Sequence, residues 1–182
     1  MPGDKDQMGD VLLTTRKFRV ERREYSIPGR GAVSRELVVH PGAVLILPLL
    51  PDGQVVLIRN YRYSADAELL ELPAGTLEPN EAPAACAARE LEEEAGYRAG
   101  RLEPLCAFYT TPGFTNEFMH AFVATELVPT AQRLEPTEQI RVQIMPLHDA
   151  LEATSDGRIV DAKTITALQV YYYRIARGAK SL

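Results

Sequence analysis

Three glutamates near the end of one predicted helix are the first candidates for chemistry. Glu90, Glu93 and Glu94 follow one another at helical spacing, and residues three and four apart are neighbours on a helix surface. Like charges at that spacing repel by roughly 0.2–0.5 kcal/mol per pair, and acidic groups at a helix C-terminus oppose the dipole. A hard divalent cation would offset both costs, since Mg²⁺ takes carboxylate oxygens and bridges them to phosphates. A solvated helix end is the alternative, and spacing alone leaves both open.

The segment that carries these glutamates, residues 81–95, is the most strongly predicted helix. It lacks β-branched residues and is rich in Ala, Glu, Arg and Leu, the strongest helix formers. Asn80 is the candidate N-cap, Pro83 fits the first turn, and Gly96 stands where a left-handed residue commonly ends a helix. One arc of the helical wheel is small or apolar and predicts the packing face: Ala84, Ala87, Ala88, Leu91 and Ala95.

The rest of the chain contains strand-like segments and two further helices. Two stretches, 11–27 and 32–40, flank a Pro-Gly turn and predict an N-terminal antiparallel hairpin or small sheet. Further strands are predicted at 43–50, 54–61, 69–72, 101–110, 118–126 and 140–147, and helices at 148–154 and 162–177. Strands interrupted by one central helix and closed by another predict an α/β fold, a mixed β-sheet sandwiched between helices.

Length and charge exclude several classes of protein. At 182 residues the chain fits one domain, and a net charge of −5 leaves no basic surplus for a nucleic-acid polymer. The longest apolar run, 42–51, is about half a membrane span, and the N-terminus lacks a secretory signal. Cys86 and Cys106 have no metal-site spacing and are interpreted as reduced thiols. We therefore expect a cytoplasmic protein with no membrane partner.

A wider pattern around the predicted helix resembles the complete Nudix box. It fixes at least eight positions within 23 residues, so chance explains it poorly. The pattern consists of Gly75, five residues, Glu81, seven residues, Arg89-Glu90-Leu91, one residue, Glu93-Glu94, one residue and Gly96-Tyr97. The chain is identified as a member of the Nudix hydrolase family, and this resemblance implies the α/β/α Nudix fold and metal-dependent hydrolysis of a pyrophosphate.

The resemblance also implies a set of metal ligands. The cofactor is expected to be Mg²⁺, with Mn²⁺ as an alternative, held by a backbone carbonyl and several carboxylates: Ala74, Glu90, Glu93, Glu94 and Glu138. Arg89 and Glu81 occupy positions that form a structural ion pair in the family. Eight residues apart, they can meet only across a bend or at the helix start.

Motifs outside the box resemble the branch that hydrolyses ADP-ribose and other nucleoside diphosphate sugars. They are Arg59–Arg62 (RNYR), Glu71–Gly75 (ELPAG), Thr111–Glu117 (TPGFTNE) and Gly157–Leu168, with Pro112 about fifteen residues after the box. The branch implies hydrolysis of ADP-ribose to AMP and ribose 5-phosphate. GDP-mannose or UDP-glucose is the alternative substrate. A non-catalytic nucleotide-binding Nudix regulator is a second alternative, although such proteins commonly lose box glutamates that this chain retains.

The same branch supplies candidate catalytic and substrate-binding residues. Its members take a general base or metal ligand from the loop before a late strand, where Glu135 and Glu138 stand. Glu138, two residues before Ile140, matches better, but the choice between them stays open; Glu93 is a third catalytic candidate. Arg62 is expected to bind phosphate, because guanidinium groups bind such oxygens bidentately. The full set of expected substrate contacts is Arg62, Arg35, Glu117, Pro112 and Tyr25.

The N-terminal strands resemble the part of these enzymes that exchanges with a second subunit. The predicted division is a dimer-forming β extension at residues 1–41, which does not fold independently, and a Nudix hydrolase domain at 42–182. A homodimer follows, in which Arg35 and Tyr25 lie near the nucleotide base.

Overall fold

The computed structural model describes residues 9–178, and within them the chain forms ten strands and three helices. Their bounds are β1 (Asp10–Thr14), β2 (Arg19–Ile27), β3 (Gly31–Val39), β4 (Ala43–Pro48), β5 (Gln54–Arg62), β6 (Ala67–Glu71), β7 (Ala74–Thr76), α1 (Pro83–Ala95), β8 (Tyr97–Tyr109), β9 (Phe118–Pro129), β10 (Ile140–Pro146), α2 (Leu147–Asp156) and α3 (Ala162–Gly178). The ends of the predicted extension and domain, residues 1–8 and 179–182, lie outside the described residues.

The strands form a mixed sheet and two antiparallel sheets. The mixed sheet has the order β7-β4-β9-β8, with β4 and β9 parallel. The second sheet has the order β10-β5-β6, and the third is the N-terminal β1-β2-β3. The predicted mixed sheet is confirmed, but β5, β6 and β10 form a separate sheet beside it.

Strand β4 is buried along its whole length because helices cover both of its faces. Side chains alternate across a strand, so Leu45 and Leu47 pack with Leu168 of α3, whereas Val44 and Ile46 pack on the α1 side. Burying each such side chain stabilises the fold by about 1.5–3 kcal/mol. The expected α/β/α arrangement is confirmed. Within residues 9–178 no helix combines the length and the apolar character needed to cross a membrane.

The N-terminal extension has three strands because a turn divides the first predicted stretch. The Thr15 hydroxyl accepts hydrogen bonds from the N–H groups of Lys17 and Phe18 and donates one to the Phe18 carbonyl, a local pattern that replaces strand pairing. At its other end the extension joins the rest of the fold through Val38, whose N–H donates to the Phe114 carbonyl at 2.8 Å. The division at residue 41 stays a prediction.

Helix α1 begins later and faces the sheet differently than its sequence indicated. Asn80 is not the N-cap: the helix starts at Pro83, after Ala82, without a side-chain cap. Ala87, Leu91 and Ala95 of the predicted packing face are buried. Ala84 and Ala88 are exposed, and Cys86 and Glu94 are buried in their place. Alanine side chains differ little in hydrophobicity from one side of the helix to the other, so the sequence alone does not define the buried face. Packing of α1 against β4, β7 and β8 determines it.

Candidate active site

Glu94 is the most deeply buried of the three helix glutamates. Its residue is 4% exposed, and its carboxylate accepts a hydrogen bond from the Ala74 N–H at 2.9 Å. Burial raises the pKa of Glu94 to about 8, and the nearby charges of Glu90 and Glu138 act in the same direction. The charged form is therefore costly unless a cation lies close by.

Glu90 and Glu138 belong to the same electrostatic group as Glu94. Burial raises the pKa of Glu90, and the charges of Glu93 and Glu138 add to the rise while Arg89 opposes it. Glu138 lies in the loop before β10 and yet acts on both Glu90 and Glu94. The fold thus brings this predicted loop glutamate to the carboxylates of α1.

The glycine of the ELPAG motif lies directly against the helix. A Cβ atom at Gly75 would overlap the carboxylate group of Glu90. A larger residue here would displace the Glu90 carboxylate, because the backbone and the glutamate approach so closely. The approach holds the β7 backbone beside the acidic face of α1.

Arg89 connects the acidic residues on one side of the helix. Its Nε and a terminal nitrogen both donate to Glu81 at 2.9 Å, and its other terminal nitrogen donates to Glu90 at 2.7 Å and Glu93 at 3.1 Å. These bonds with Arg89 lower the pKa of Glu81 to about 2. Glu81 precedes the helix, so the expected pair is confirmed at the helix start.

The predicted ligand set has the chemistry of a hard-cation site. It consists of oxygen donors only, and burial disfavours negative charge on Glu90 and Glu94, which a divalent cation would offset. Among residues 9–178, the group of potential ligands within 4.8 Å of one another is a different, exposed one on α2: His148, Asp149 and Glu152. Within the described residues, no three of the predicted carboxylate ligands Glu90, Glu93, Glu94 and Glu138 meet at that range, although the charge of Glu138 acts on both Glu90 and Glu94.

A cleft of about 490 Å³ opens beside the glycine loop, a size typical of small-molecule sites. It is bounded by β7, by the end of β8 and by the start of α3. Its charged lining residues are Arg62, Glu117, Asp161 and Lys163. The cleft therefore contains two cations and two anions, and it borders α1 through Ala74 and Gly75, which lie against Glu94 and Glu90.

Arg62 lies in the wall of this cleft and is held by a buried carboxylate. Its Nε and a terminal nitrogen donate to the two oxygens of Glu71 at 2.8 and 2.6 Å, and this pairing raises the pKa of Arg62. Lys163 donates to the same Glu71 and to Asp161, each at 2.7 Å. Glu71 is fully buried, so it fixes both cations in place.

Glu71 and Lys163 are functional candidates that sequence reasoning missed. Both stand within motifs named above, ELPAG and Gly157–Leu168, but neither motif indicates a role for them. They lie 92 positions apart in the chain, so no local pattern shows that they meet.

Glu117 lines the cleft, as expected of a substrate contact, whereas Pro112 does not. The Thr110 hydroxyl donates to Glu117 at 2.6 Å. Pro112 is exposed, and only its neighbour Thr111 belongs to the lining. Thr110 and Thr111 place the end of β8 at the mouth of the cleft.

Arg35 and Tyr25 are absent from the lining of the cleft in this chain. They stand on the same face of the β2-β3 pair, where Arg35 is opposite Arg23. The Arg35 guanidinium donates to the Ser34 carbonyl at 2.8 Å. A role for them at a nucleotide therefore requires the cleft of another subunit.

The two loop glutamates differ in their surroundings. Glu135 is exposed, and its carboxylate lies 3.4 Å from Arg16 of the N-terminal extension. The Glu138 carboxylate accepts the Glu135 N–H at 2.8 Å, and the Glu138 N–H donates to the Glu135 carbonyl. This geometry holds Glu138 in a defined orientation, whereas Glu135 points to solvent.

An α/β/α fold with acidic side chains on α1 and a neighbouring cleft that contains Arg62 and Lys163 defines a protein suited to a metal-bound phosphate ligand. Residues 39–168 match the NUDIX domain family, and the chain belongs to it. It is similar to the ADP-ribose pyrophosphatase of Bacillus subtilis (strain 168), with 40% identity over 159 residues and 86% of each chain. It is also similar to the GDP-mannose pyrophosphatase of Yersinia pestis (strain Pestoides F), with 38% identity over 138 residues, 70% of this chain and 69% of the relative.

Among solved structures, the fold is similar to one described as an ADP compounds hydrolase. The TM-score is 0.78 at 25% identity, and the match covers 92% of this chain and 91% of the other. The expected family, fold class and pyrophosphatase type are confirmed by these matches.

Proposed function

We propose that this protein hydrolyses the pyrophosphate bond of ADP-ribose to AMP and ribose 5-phosphate, with Mg²⁺ as the divalent cation. The observation that carries the proposal is the cleft lined by Arg62 and Lys163 together with Ala74 and Gly75, whose backbones lie against Glu94 and Glu90 of α1. A substrate with two linked phosphates needs cations for its oxygens and a base for water. The Bacillus subtilis relative supports ADP-ribose as the substrate.

The metal would be held by the α1 glutamates, by the Ala74 carbonyl and by Glu138. When bound, it would supply charge neutralisation for the phosphate oxygens. Arg62 and Lys163 bind oxygens of the same pyrophosphate, and Glu71 keeps both cations oriented. Glu117 contacts the sugar at the mouth of the cleft.

Glu138 is the proposed general base. It is oriented by the Glu135 N–H and lies near Glu90 and Glu94, whose pKa values it raises. A base must lie close to the proton that it accepts from the attacking water. Glu138→Gln should therefore lower kcat by about 100-fold or more, while Glu135→Gln stays within about threefold; the reverse order would move the base to Glu135.

The N-terminal extension is proposed to form a homodimer. Its first strand exposes Val11, Leu12 and Leu13, each about half accessible, and an exposed apolar edge strand is usually covered in a native assembly. Arg35 and Tyr25 then contact the nucleotide in the partner's cleft. Light scattering measures the mass in solution, and a monomer at micromolar concentration would contradict this arrangement.

The decisive experiment measures initial rates of pyrophosphate-bond hydrolysis with Mg²⁺ and with Mn²⁺. The substrates are ADP-ribose, GDP-mannose, UDP-glucose and dinucleoside polyphosphates. We expect ADP-ribose to give the highest kcat/KM and to release AMP.

Glu93→Gln and Glu94→Gln should each lower kcat by about 100-fold or more, with unchanged circular dichroism; undiminished turnover in both would contradict the metal assignment.

GDP-mannose is the second candidate substrate, because the Yersinia pestis relative is 38% identical over most of this chain. If kcat/KM is higher for GDP-mannose than for ADP-ribose, GDP-mannose is the preferred substrate. Tight nucleotide binding without turnover of any substrate would support the regulator alternative, which the complete set of box glutamates disfavours.

A further inference from the structure

The segment after β9 is tied to the last turn of helix α1. The Arg133 N–H donates to the Glu93 carbonyl at 3.0 Å, and the Gln132 side-chain amide donates to the Glu94 carbonyl at 2.6 Å. Carbonyls in the last turn of a helix lack partners within the helix. Gln132 and Arg133 therefore act as a C-terminal cap supplied by a distant segment.

A backbone contact brings this cap close to the helix end. The Thr130 N–H donates to the Gly96 carbonyl at 2.8 Å. Gly96 has a φ of +69°, and a Cβ there would lie 3.1 Å from the Thr130 carbonyl and 3.3 Å from the Gln132 backbone. Glycine is thus needed both for the left-handed turn and for the close approach of the segment.

The Arg133 side chain adds an ion pair to these bonds. Its guanidinium donates to the Glu92 carboxylate at 2.9 Å, and Glu92 has a second cation, Arg98, at 3.6 Å. Positive charge near a helix C-terminus is favourable. Arg133 and Arg98 therefore neutralise the same acid, but only Arg133 belongs to the capping segment.

Glu138, the proposed general base, stands five residues after Arg133 in the chain. The far side of this loop is held by the Gln139 carbonyl, which accepts the Tyr61 N–H at 3.3 Å, and by Ile140, the first residue of β10. These two anchors flank residues 134–138, the short segment that contains Glu138.

We propose that Gln132 and Arg133 are positioning residues for catalysis. They fix the loop that carries Glu138 to the end of α1, so that the base and the α1 carboxylates keep one relative position. The kinetic part of this inference rests on the proposed function, whereas the physical coupling of loop and helix does not.

The kinetic test compares Gln132→Ala/Arg133→Ala with Arg98→Ala, a control that removes the other cation at Glu92 but not the 4.0 Å contact between Arg133 and Glu93. A base displaced by a fraction of an ångström loses much of its effect, so we expect kcat for ADP-ribose to fall about tenfold in the double variant. KM should stay within about twofold, and Arg98→Ala should match the wild type. Arg133→Lys should recover most of the loss of Arg133→Ala, because its ammonium can still pair with Glu92.

The structural test uses hydrogen exchange of the metal-free protein in EDTA and needs no activity. Peptides covering residues 134–139 should take up deuterium faster in the double variant than in the wild type or Arg98→Ala. Unchanged uptake in the double variant would overturn the proposal, as would an equal loss of kcat in Arg98→Ala. If the wild-type protein does not cleave ADP-ribose, the proposed function is wrong. Deuterium uptake by residues 134–139 would still test whether Gln132 and Arg133 hold the loop to α1. If the double variant does not fold, the single variants Gln132→Ala and Arg133→Ala take its place in both tests.

Discussion

The Glu94 carboxylate accepts the Ala74 N–H at 2.9 Å, which joins the last turn of α1 directly to strand β7. Through this bond the strand and the helix place two predicted metal ligands side by side. The carboxylate is almost completely buried, and its pKa is raised to about 8. Its protonation should therefore control the stability of the metal-free protein.

In EDTA, the free energy of unfolding should fall as the pH rises from about 5 to about 9. The Glu94 pKa is about 8 in the folded protein and near 4.5 when unfolded, so between these values the folded state binds more protons, and stability decreases with rising pH. Thermal unfolding at several pH values measures this. Glu94→Gln should flatten the dependence, whereas the exposed Glu24→Gln should follow the wild type; identical slopes in all three proteins would refute the assignment.

Loss of the buried carboxylate that holds the cleft cations should destabilise the fold. Glu71→Gln leaves Arg62 and Lys163 without their shared counter-charge, and we expect a loss of about 2–3 kcal/mol, below the full value for a buried pair because Arg62 is partly exposed. Urea denaturation measures it. Glu68→Gln is the matched control, since Glu68 also pairs with two arginines but is more exposed, and it should cost under about 1 kcal/mol. Equal losses would show that burial of Glu71 is unimportant.

A methyl group at Gly75 should weaken metal activation without unfolding the protein. Gly75→Ala forces the Glu90 carboxylate to move, and disturbing the support of a ligand typically costs about 10- to 100-fold in metal affinity or activity. The Mg²⁺ concentration for half-maximal rate should rise by about tenfold or more. Gly178→Ala, where an added Cβ meets no atom within 4 Å, should leave it unchanged. A normal Mg²⁺ dependence in Gly75→Ala would argue against Glu90 as a ligand.

The Glu81–Arg89 pair should stabilise the protein at neutral pH and lose that effect in acid. The Glu81 pKa is about 2 when folded and near 4.5 when unfolded, so the contribution is complete above about pH 5.5 and disappears as the pH falls toward 2. The difference in urea midpoint between wild type and Glu81→Gln should therefore be large at pH 7 and smaller at pH 3. A difference that does not change with pH would mean that charge on Glu81 contributes nothing.

Local features of this protein could be predicted from sequence because they depend on neighbouring residues. Helix α1 follows from its helix-forming composition and from Gly96 at its end. The Glu81–Arg89 pair was expected at the helix start, where it occurs. The spacing of Gly75 and the glutamates identified the family without any knowledge of packing, because one continuous motif carries that information.

Features that join distant parts of the chain were decided by tertiary structure. The sequence favoured Glu138 over Glu135 without deciding between them, and the folded loop brings the charge of Glu138 close enough to raise the pKa values of Glu90 and Glu94. The burial of Glu94 and the exposure of Ala84 depend on how α1 meets the sheet. The pairing of Glu71 with Lys163 joins positions 92 residues apart. Spacing determines which side chains share a helix face, but which face is buried, and what faces it, depends on the packing of the whole chain.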